Sequence, residues 1–468
     1  EWTWSEQFAS QEEILAYANF VADKLDLRKN FKFNTRVVSA VWDDAGRLWR
    51  ATTDSGETLE APFCIMSTGP LSIPKDPDIA GIDRFKGQLL RAQKWPHTPV
   101  SFEGKRVGVI GTGSTGIQIV QTVGRQAAEL FVFQRTPSFT LPMRNHKLEP
   151  DYVAEMKRHY PAMREAMRNN PTGGTRPATS RPYFSLPPSQ RLQAMEQAWI
   201  NGGHTFLGSF ADLLTNPEAN DQVADFVRAK IGEIVKDPKV AEALKPRGYP
   251  IFARRPCLDT EYYETYNLPN VHLVDVASDP IVEITEKGIR TQSGETELDI
   301  LIFATGYDAL TGALLAFDVV GRNGRTLKEK WKSGARSHLG IMIEGFPNLF
   351  ATGGPNGPAA LANLITIAEH DVDWIADMIT YMEANGLATV EPTPEAEEAW
   401  MKLVVSLAER SLSRKANTWW VGANVKGKPQ GLTMFLGGFH KYRELCAAAA
   451  QDRSSQFVFD RARESAAA

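Results

Sequence analysis

The residues with the clearest chemical promise are six in a row: Gly111, Thr112, Gly113, Ser114, Thr115 and Gly116. They follow a short Val/Ile-rich segment, Arg106–Ile110, and lead into an apolar helical stretch, Ile117–Val123. A GxGxxG series in that setting predicts a strand, a tight turn and a helix. Gly111 permits the turn, Gly113 lets a pyrophosphate approach the backbone, and Gly116 lets helix and strand pack closely. The helix start adds unpaired N–H groups and a positive dipole end, so the six residues read as a dinucleotide phosphate site. Which dinucleotide it takes depends on the end of the next strand, Leu130–Phe133. An NAD site carries an Asp or Glu there for the ribose 2′-hydroxyl, but this chain reads Phe133-Gln134-Arg135-Thr136. Arg135 instead offers a guanidinium fork to a 2′-phosphate. NADPH is therefore expected rather than NADH.

Two further groups invite a chemical reading. Ile251-Phe252-Ala253-Arg254-Arg255-Pro256 sets adjacent arginines in an apolar stretch just ahead of Asp259 and Glu261. On these residues alone, a solvated salt-bridge pair accounts for them equally well. The Trp419-Trp420 pair, followed by Gly422-Ala423-Asn424, reads by itself more readily as core packing than as a cofactor contact. Other chemistries lack their residues. There is no HExxH, CxxC or GxSxG series, so zinc hydrolysis and a serine elbow have no support. Cys64, Cys257 and Cys446 are far apart, which excludes a redox dithiol and a disulfide framework and points to a reducing, cytoplasmic setting.

The chain that must position these groups has 468 residues, 43% of them hydrophobic and 23% charged, a globular composition long enough for two to four domains. With a net charge of −4 and no long basic run, neither nucleic acid nor a membrane surface is an expected partner. No stretch of 18 apolar residues occurs that could span a bilayer. Residues 6–26 have helical periodicity. Strand-like segments follow at Phe31–Val38, Ala40–Trp42 and Leu48–Thr52, then a Ser55-Gly56-Glu57-Thr58 turn, a strand Ala61–Met66 and Ser67-Thr68-Gly69. The order returns as Val282–Ile284, Ile289–Gln292, Ser293-Gly294-Glu295-Thr296, strand Ile300–Phe303 and Ala304-Thr305-Gly306. This is an internal repeat. Stretches 150–169, 188–201 and 221–244 read as helices within an insertion at about 141–250. The expected fold is α/β, with two dinucleotide-binding, Rossmann-like domains, small β-meanders and that helical insertion. The expected boundaries are 1–70 and 308–468 for one domain and 71–307 for the other. A phosphate-binding βαβ unit should open the first repeat too, yet residues 1–60 hold only Gly46 and Gly56. With no initiator Met, a Rossmann unit of roughly 30 residues is expected to be missing ahead of Glu1.

Phe85-Lys86-Gly87 and Trp95-Pro96 fit the fingerprint F-x-G-x-x-x-H-x-x-x-W-P at every position but the His, which is Arg91 here. With the GTGSTG loop, FQRTP at 133–137, ARRP at 253–256, ATGYDALTG at 304–312 and GANVKGKP at 422–429, the chain resembles the type I Baeyer–Villiger monooxygenases over essentially its whole length. It is most similar to their phenylacetone/cyclohexanone monooxygenase group. The resemblance implies FAD and NADPH as cofactors and a ketone and O2 as substrates, converted to an ester or lactone through a C4a-peroxyflavin. It implies that Arg135, Thr136 and Arg254 grip the NADPH 2′-phosphate and that Arg255 is the active-site arginine beside the flavin. Trp419 would close over the nicotinamide end, Val37 would contact the FAD adenine, and Leu364 would lie near the flavin's pyrimidine edge. An N- or S-oxygenating flavin monooxygenase shares the two-Rossmann plan and remains an alternative. So does a truncated module that only binds NADP.

Overall fold

The computed structural model describes residues 1–461 apart from Asp76, 176–178, 359–361, Asn417, Asn424 and 432–433, and omits the side chain of Trp419. The chain forms two units, one gathering Glu1–Ile73, Asn145–Ala178 and Asp308–Ala468, the other Pro74–Arg144 and Thr179–Tyr307. The segment expected to be one insertion at about 141–250 is thus divided. Its first helix, Pro150–Arg168, belongs with the first unit, where Arg164 pairs with Glu369 at 3.0 Å and the Thr172 carbonyl accepts from the Asn363 N–H at 2.9 Å.

In the first unit the helix Gln11–Lys24 is capped by the Ser10 side chain, but none of its residues is buried. Its apolar stripe instead carries Tyr17 and Phe20 against Trp2, with ring centroids 5.4–5.5 Å apart. A hairpin follows, β1 (Val37–Asp43) and β2 (Leu48–Thr53), extended by β3 (Thr58–Ala61). The expected strand at Phe31–Val38 starts later. Asn34, at φ 54°, breaks that run, and the strand begins at Val37. Trp42 and Trp49 face each other across β1 and β2 and pack on Trp331 and Phe346 in one core. β4 (Cys64–Met66) pairs in parallel with β16 (Leu349–Ala351), and β15 (Asp318–Val320) joins β1. A second core lies among the helices Leu364–Ala384, Pro394–Glu409 and Phe439–Gln451 and the antiparallel pair β17 (Leu387–Pro392) and β18 (Phe457–Arg461).

The second unit is built on a five-stranded, all-parallel sheet of β5 (Gln88–Arg91), β6 (Arg106–Ile110), β7 (Glu129–Gln134), β10 (Val271–Asp275) and β14 (Ile300–Phe303). The strand order is β10-β7-β6-β14-β5, so direction of progression reverses between β6 and β14. Ligands of open α/β sheets bind outside the carboxyl ends at such a reversal. β6 and β14 are buried nearly end to end, as Val/Ile-rich strands covered on both faces should be. Two short strands, β8 (Thr140–Pro142) and β9 (Cys257–Asp259), pair in parallel beside the sheet. The expected helix 221–244 is two helices, Pro217–Ile234 and Pro238–Leu244. Pro238 lacks the N–H to continue the first, and Asp237 caps the second by accepting from the N–H groups of Lys239 and Val240.

The internal repeat has a structural counterpart in the second unit's meander, β11 (Ile281–Ile284), β12 (Gly288–Thr291) and β13 (Glu295–Glu297). In each copy a buried threonine opens the SGET turn and its hydroxyl meets the serine two residues on: Thr53 to Ser55 at 2.9 Å and Thr291 to Ser293 at 3.3 Å.

One side chain ties the strand ends of the first unit together. Asn348 is fully buried at φ 55°. Its Nδ2 donates to the Pro62 and Ala388 carbonyls, both at 2.9 Å, and its Oδ1 accepts from the Val390 N–H at 2.8 Å. Asn348→Ala strands the buried Val390 N–H, removes the donor of the partly buried Pro62 and Ala388 bonds and leaves a β-carbon at positive φ, so it should destabilise the chain by about 2 kcal/mol or more. Urea unfolding followed by circular dichroism measures this, and a loss below about 1 kcal/mol would remove Asn348 from that role.

Candidate cofactor sites

The glycine loop has the geometry its residue types demand. Gly111 has φ 110°, a conformation that only glycine adopts readily. A β-carbon there would sit 2.5 Å from the Ala304 carbonyl oxygen, and one on Gly116 would sit 1.9 Å from the carbonyl oxygen of Gly111. Gly113 differs: a β-carbon on it would meet nothing within 4 Å. It caps the helix Ser114–Val123 without a side-chain hydrogen bond, so the first N–H groups of that helix are left for a ligand. Two glycines make the packing and the third keeps the approach open. A pyrophosphate fits this cradle. Thr112 steadies the rim, its hydroxyl donating to the Thr136 carbonyl at 3.0 Å.

The cations converge on the same edge. Arg135 and Thr136 directly follow β7, with Arg135 exposed and, among the described residues, without a carboxylate partner. Tyr249 donates its hydroxyl to the Pro137 carbonyl at 2.9 Å, and the Arg254 guanidinium lies over the Tyr249 ring, 4.3 Å from its centroid. Burial pushes the Tyr249 phenol up to about 12, with Arg254 opposing, so it stays neutral under that cation. Cys257 donates to the Ser114 hydroxyl at 3.0 Å and pairs with Thr140 in the β8–β9 bridge. These contacts draw 254–257 onto both the phosphate helix and the Arg135 strand end. Arg255 is exposed while Arg254 is half-buried on its tyrosine, so the two adjacent cations occupy different surroundings. The bland account of them as a salt-bridged pair with Asp259 and Glu261 does not hold. Asp259 instead accepts from the N–H groups of Glu261 and Tyr262, and Glu261 pairs with Arg125.

The sequence reading missed Lys75. Its N–H donates to the Gly306 carbonyl at 3.0 Å and its carbonyl accepts from the Thr305 hydroxyl at 2.9 Å, at the carboxyl end of β14. Burial, with Arg135 second, lowers its ammonium's pKa. A lysine pressed by a like charge is a signal no spacing rule carries.

The first unit has a recess where β4 and β16 end, lined by Met66, Thr68, Gly69, Leu310, Gly353 and Gly354 among others. Gly69 and Gly353 have φ 74° and 60°, and a β-carbon on Gly353 would meet nothing within 4 Å. Small residues at the carboxyl ends of parallel strands leave the backbone open to a ligand there. Leu364 opens the helix Leu364–Ala384, after the Asn363 cap, and packs beside Leu310 and Trp420, one layer behind the recess. Val37 starts β1 and is not among the residues lining the recess. Trp420 is fully buried, as the core-packing account expects. The backbone of Trp419 lies in a short helical turn, and its side chain is outside the described residues. Lys428 joins the 422–429 loop to 308–309 by pairing with Asp308 and donating to the Ala309 carbonyl at 3.0 Å.

A flavin-binding monooxygenase-like family model matches residues 5–169. The chain is 41% identical to a Baeyer–Villiger monooxygenase of Pseudooceanicola batsensis, covering 98% of this chain and 84% of that protein. The chain belongs to the Baeyer–Villiger monooxygenase family. A cyclohexanone 1,2-monooxygenase of Acinetobacter is also 41% identical, over 93% of this chain and 80% of its own length. A phenazine N-monooxygenase of Lysobacter antibioticus is 38% identical over 94% and 81%. Among solved structures, a steroid monooxygenase bound to NADP aligns with a TM-score of 0.94 at 43% identity, covering 99% of this chain and 87% of that one. A complex named OTEMO with FAD and NADP aligns at 0.95 and 39%, over 98% and 87%. Coverage of 98–99% of the chain lends no support to the expectation that a flavin-binding segment is missing. Among the described residues no group of three metal-ligating side chains occurs, and no helix is long and apolar enough to cross a membrane.

The two cradle glycines separate binding from packing. Gly116→Ala must push the helix off β6 and should cost about 1–3 kcal/mol of stability. Gly113→Ala, with an ordinary φ of −81° and open space, should unfold like the parent yet bind NADPH roughly tenfold or more weakly, through lost backbone contacts. Thermal unfolding and fluorescence titration with NADPH check both. Equal behaviour of the two variants would mean that Gly113 does not face the phosphates.

Proposed function

We propose that this chain is an FAD- and NADPH-dependent monooxygenase of the Baeyer–Villiger type. It inserts one oxygen atom of O2 next to a ketone carbonyl to give an ester or lactone. The balance is ketone, O2, NADPH and a proton in, ester, water and NADP+ out. The observation that carries this reading is 41% identity to a Baeyer–Villiger monooxygenase across 98% of the chain, joined to a glycine cradle with arginine where an NAD site has an acid.

FAD, when bound, supplies the redox chemistry between NADPH and O2. The chain's own residues bind, orient and stabilise charge. In this reading the second unit holds NADPH, its pyrophosphate on Gly113 and the helix start, its 2′-phosphate on Arg135, Thr136 and Arg254. The first unit holds the flavin, with the recess at β4 and β16 receiving a ring edge, Leu364 behind it and Val37 toward the adenine. Trp419 is the residue this reading gives to the nicotinamide end. Arg255 stabilises anionic oxygen as it develops during oxygen transfer, a role suited to a guanidinium that never loses its proton. The phenazine N-monooxygenase relative at 38% identity favours one second reading, N-oxygenation of a heteroaromatic amine. With FAD and NADPH supplied, lactone from cyclohexanone, measured by gas chromatography, supports the first reading. Phenazine N-oxide without lactone supports the second.

Arg135→Ala should raise KM for NADPH roughly tenfold or more, the scale of one charge-assisted contact, and hardly change KM for NADH. Equal effects on both cofactors would sink the 2′-phosphate assignment. Arg255→Ala should bind both cofactors and unfold like the parent while ester formation falls by roughly two orders of magnitude or more. Arg255→Lys should be severely impaired as well, because lysine lacks the planar fork. Near-parental conversion by Arg255→Ala would remove the residue from oxygen transfer.

A further inference from the structure

Behind the recess of the first unit sits a carboxyl that the proposed chemistry does not use. Asp371, on the helix Leu364–Ala384, is 1% exposed. Its Oδ2 accepts from the Gly353 N–H at 2.8 Å, and Gly353 lines the recess. Its Oδ1 lies 2.9 Å from the Tyr442 hydroxyl, which is also 2.9 Å from the Leu339 carbonyl oxygen. Tyr442 has one proton to donate and two acceptors in reach. If Asp371 is ionised, the hydroxyl serves the carboxylate and the Leu339 carbonyl loses it. If Asp371 is neutral, its own O–H donates to the tyrosine oxygen, the tyrosine donates to Leu339, and every group is satisfied. The segment whose Leu339 carbonyl accepts and the segment whose Gly353 N–H donates touch each other: a β-carbon on Gly354 would lie 2.3 Å from the Gly340 carbonyl oxygen, and the Ala351 N–H donates to the Ile341 carbonyl at 2.8 Å.

We propose that Asp371 is a positioning residue: by taking or releasing one proton it assigns the Tyr442 hydroxyl to itself or to Leu339, and so sets how firmly the Gly353 loop is held at the recess. That this loop faces flavin rests on the function proposed above; the proton exchange itself does not. The surroundings favour the neutral acid. Burial raises the carboxyl to about 7, against the Gly353 and Tyr442 hydrogen bonds. The facing helix Phe439–Gln451 contributes Tyr442 and Cys446, whose own pKa values are raised by burial. The segments at Leu339 and Gly353 contribute backbone. His370, next in the chain, is lowered to about 4 by burial, then by Arg443, with Asp373 opposing and Arg168 adding to Arg443. It is therefore uncharged at neutral pH, and Arg443 and Arg168 act on it rather than on Asp371.

Because the folded-state pKa is raised, the contribution to stability is fully present below the ordinary carboxylate value of 3.8 and is lost as pH rises through about 7. Asp371→Asn reproduces the neutral acid's hydrogen bonds, its amide donating to Tyr442 and its carbonyl accepting from Gly353. On the full chain, the carboxylic C=O infrared band of the parent should disappear as pH rises through neutrality and be absent from the asparagine variant. Protection of the Gly353 amide from hydrogen exchange, corrected for intrinsic rate, should rise roughly fivefold over the same titration as its acceptor becomes charged, in the parent only. The melting temperature of the variant should match the parent at low pH and exceed it above neutrality. A parent with no carboxyl band titrating in this range, or Gly353 protection that titrates equally in both proteins, would overturn the proposal. If the variant does not fold, the parent's infrared titration alone decides. A pH titration of the FAD absorption spectrum forms a separate arm. A flavin that ignores the transition while band and amide follow it would overturn the flavin-facing recess and leave the proton exchange standing.

Discussion

At the glycine loop of the second unit two backbone segments approach so closely that no side chain fits between them. The helix Ser114–Val123 starts so near the end of β6 that a β-carbon on Gly116 would overlap the Gly111 carbonyl oxygen at 1.9 Å. That approach aims the first helical N–H groups at the edge where β6 and β14 diverge. Everything around it is arranged to keep the approach possible: Gly111 turns at positive φ beneath Ala304, β6 and β14 are buried on both faces, and Gly113 leaves space on the outer side. A helix start held there by packing has donors free for an anion, because no side chain has been placed to cap them.

Charge distribution divides along the same line. Over much of the surface, basic and acidic residues pair at short range, as in Arg28 with Asp23 and Arg50 with Glu60. Such pairs contribute little individually. At the glycine edge the arrangement differs: Arg135 and Arg255 are exposed, Arg254 lies over the Tyr249 ring, and Lys75 is close enough to Arg135 for their charges to oppose. Asp259, the carboxylate nearest in sequence to Arg255, is buried with its pKa raised and accepts backbone N–H groups. Cations gathered at one edge repel one another and favour an anion that binds among them, which is how a nucleotide carrying three phosphates would be recognised.

The first unit solves a different problem with buried polar side chains. Its parallel pair β4 and β16 is short, so Asn348 and Asp371 hold the loops at its two ends. Asn348 joins Pro62, Ala388 and Val390, and Asp371 joins Gly353 to Tyr442. Both serve backbone groups that the sheet leaves unpaired, which explains why they are buried among aromatic residues. The fixed amide of Asn348 has one hydrogen-bonding pattern, whereas the acid at 371 has two.

The glycine loop, its flanking strand and helix, the missing acid after β7 and the repeat around the SGET turns were all legible in the chain itself, because each depends on local sterics and short spacing. Gly111 through Gly116 work through backbone conformation that neighbouring residues dictate, and Val/Ile alternation with a following helix is a local pattern. The helix at 221–244 was misread as continuous although Pro238 marked its break, and the strand expected at Phe31 failed at Asn34 for an equally local reason. What the tertiary structure decided is which distant groups share a surface. The bond from Cys257 to Ser114, the approach of Lys75 to Arg135 and the burial of Asp371 against Gly353 join residues separated by up to 143 positions. No periodicity encodes them. They exist because parallel strands bring remote segments to one edge, and burial then changes what the side chains there can do.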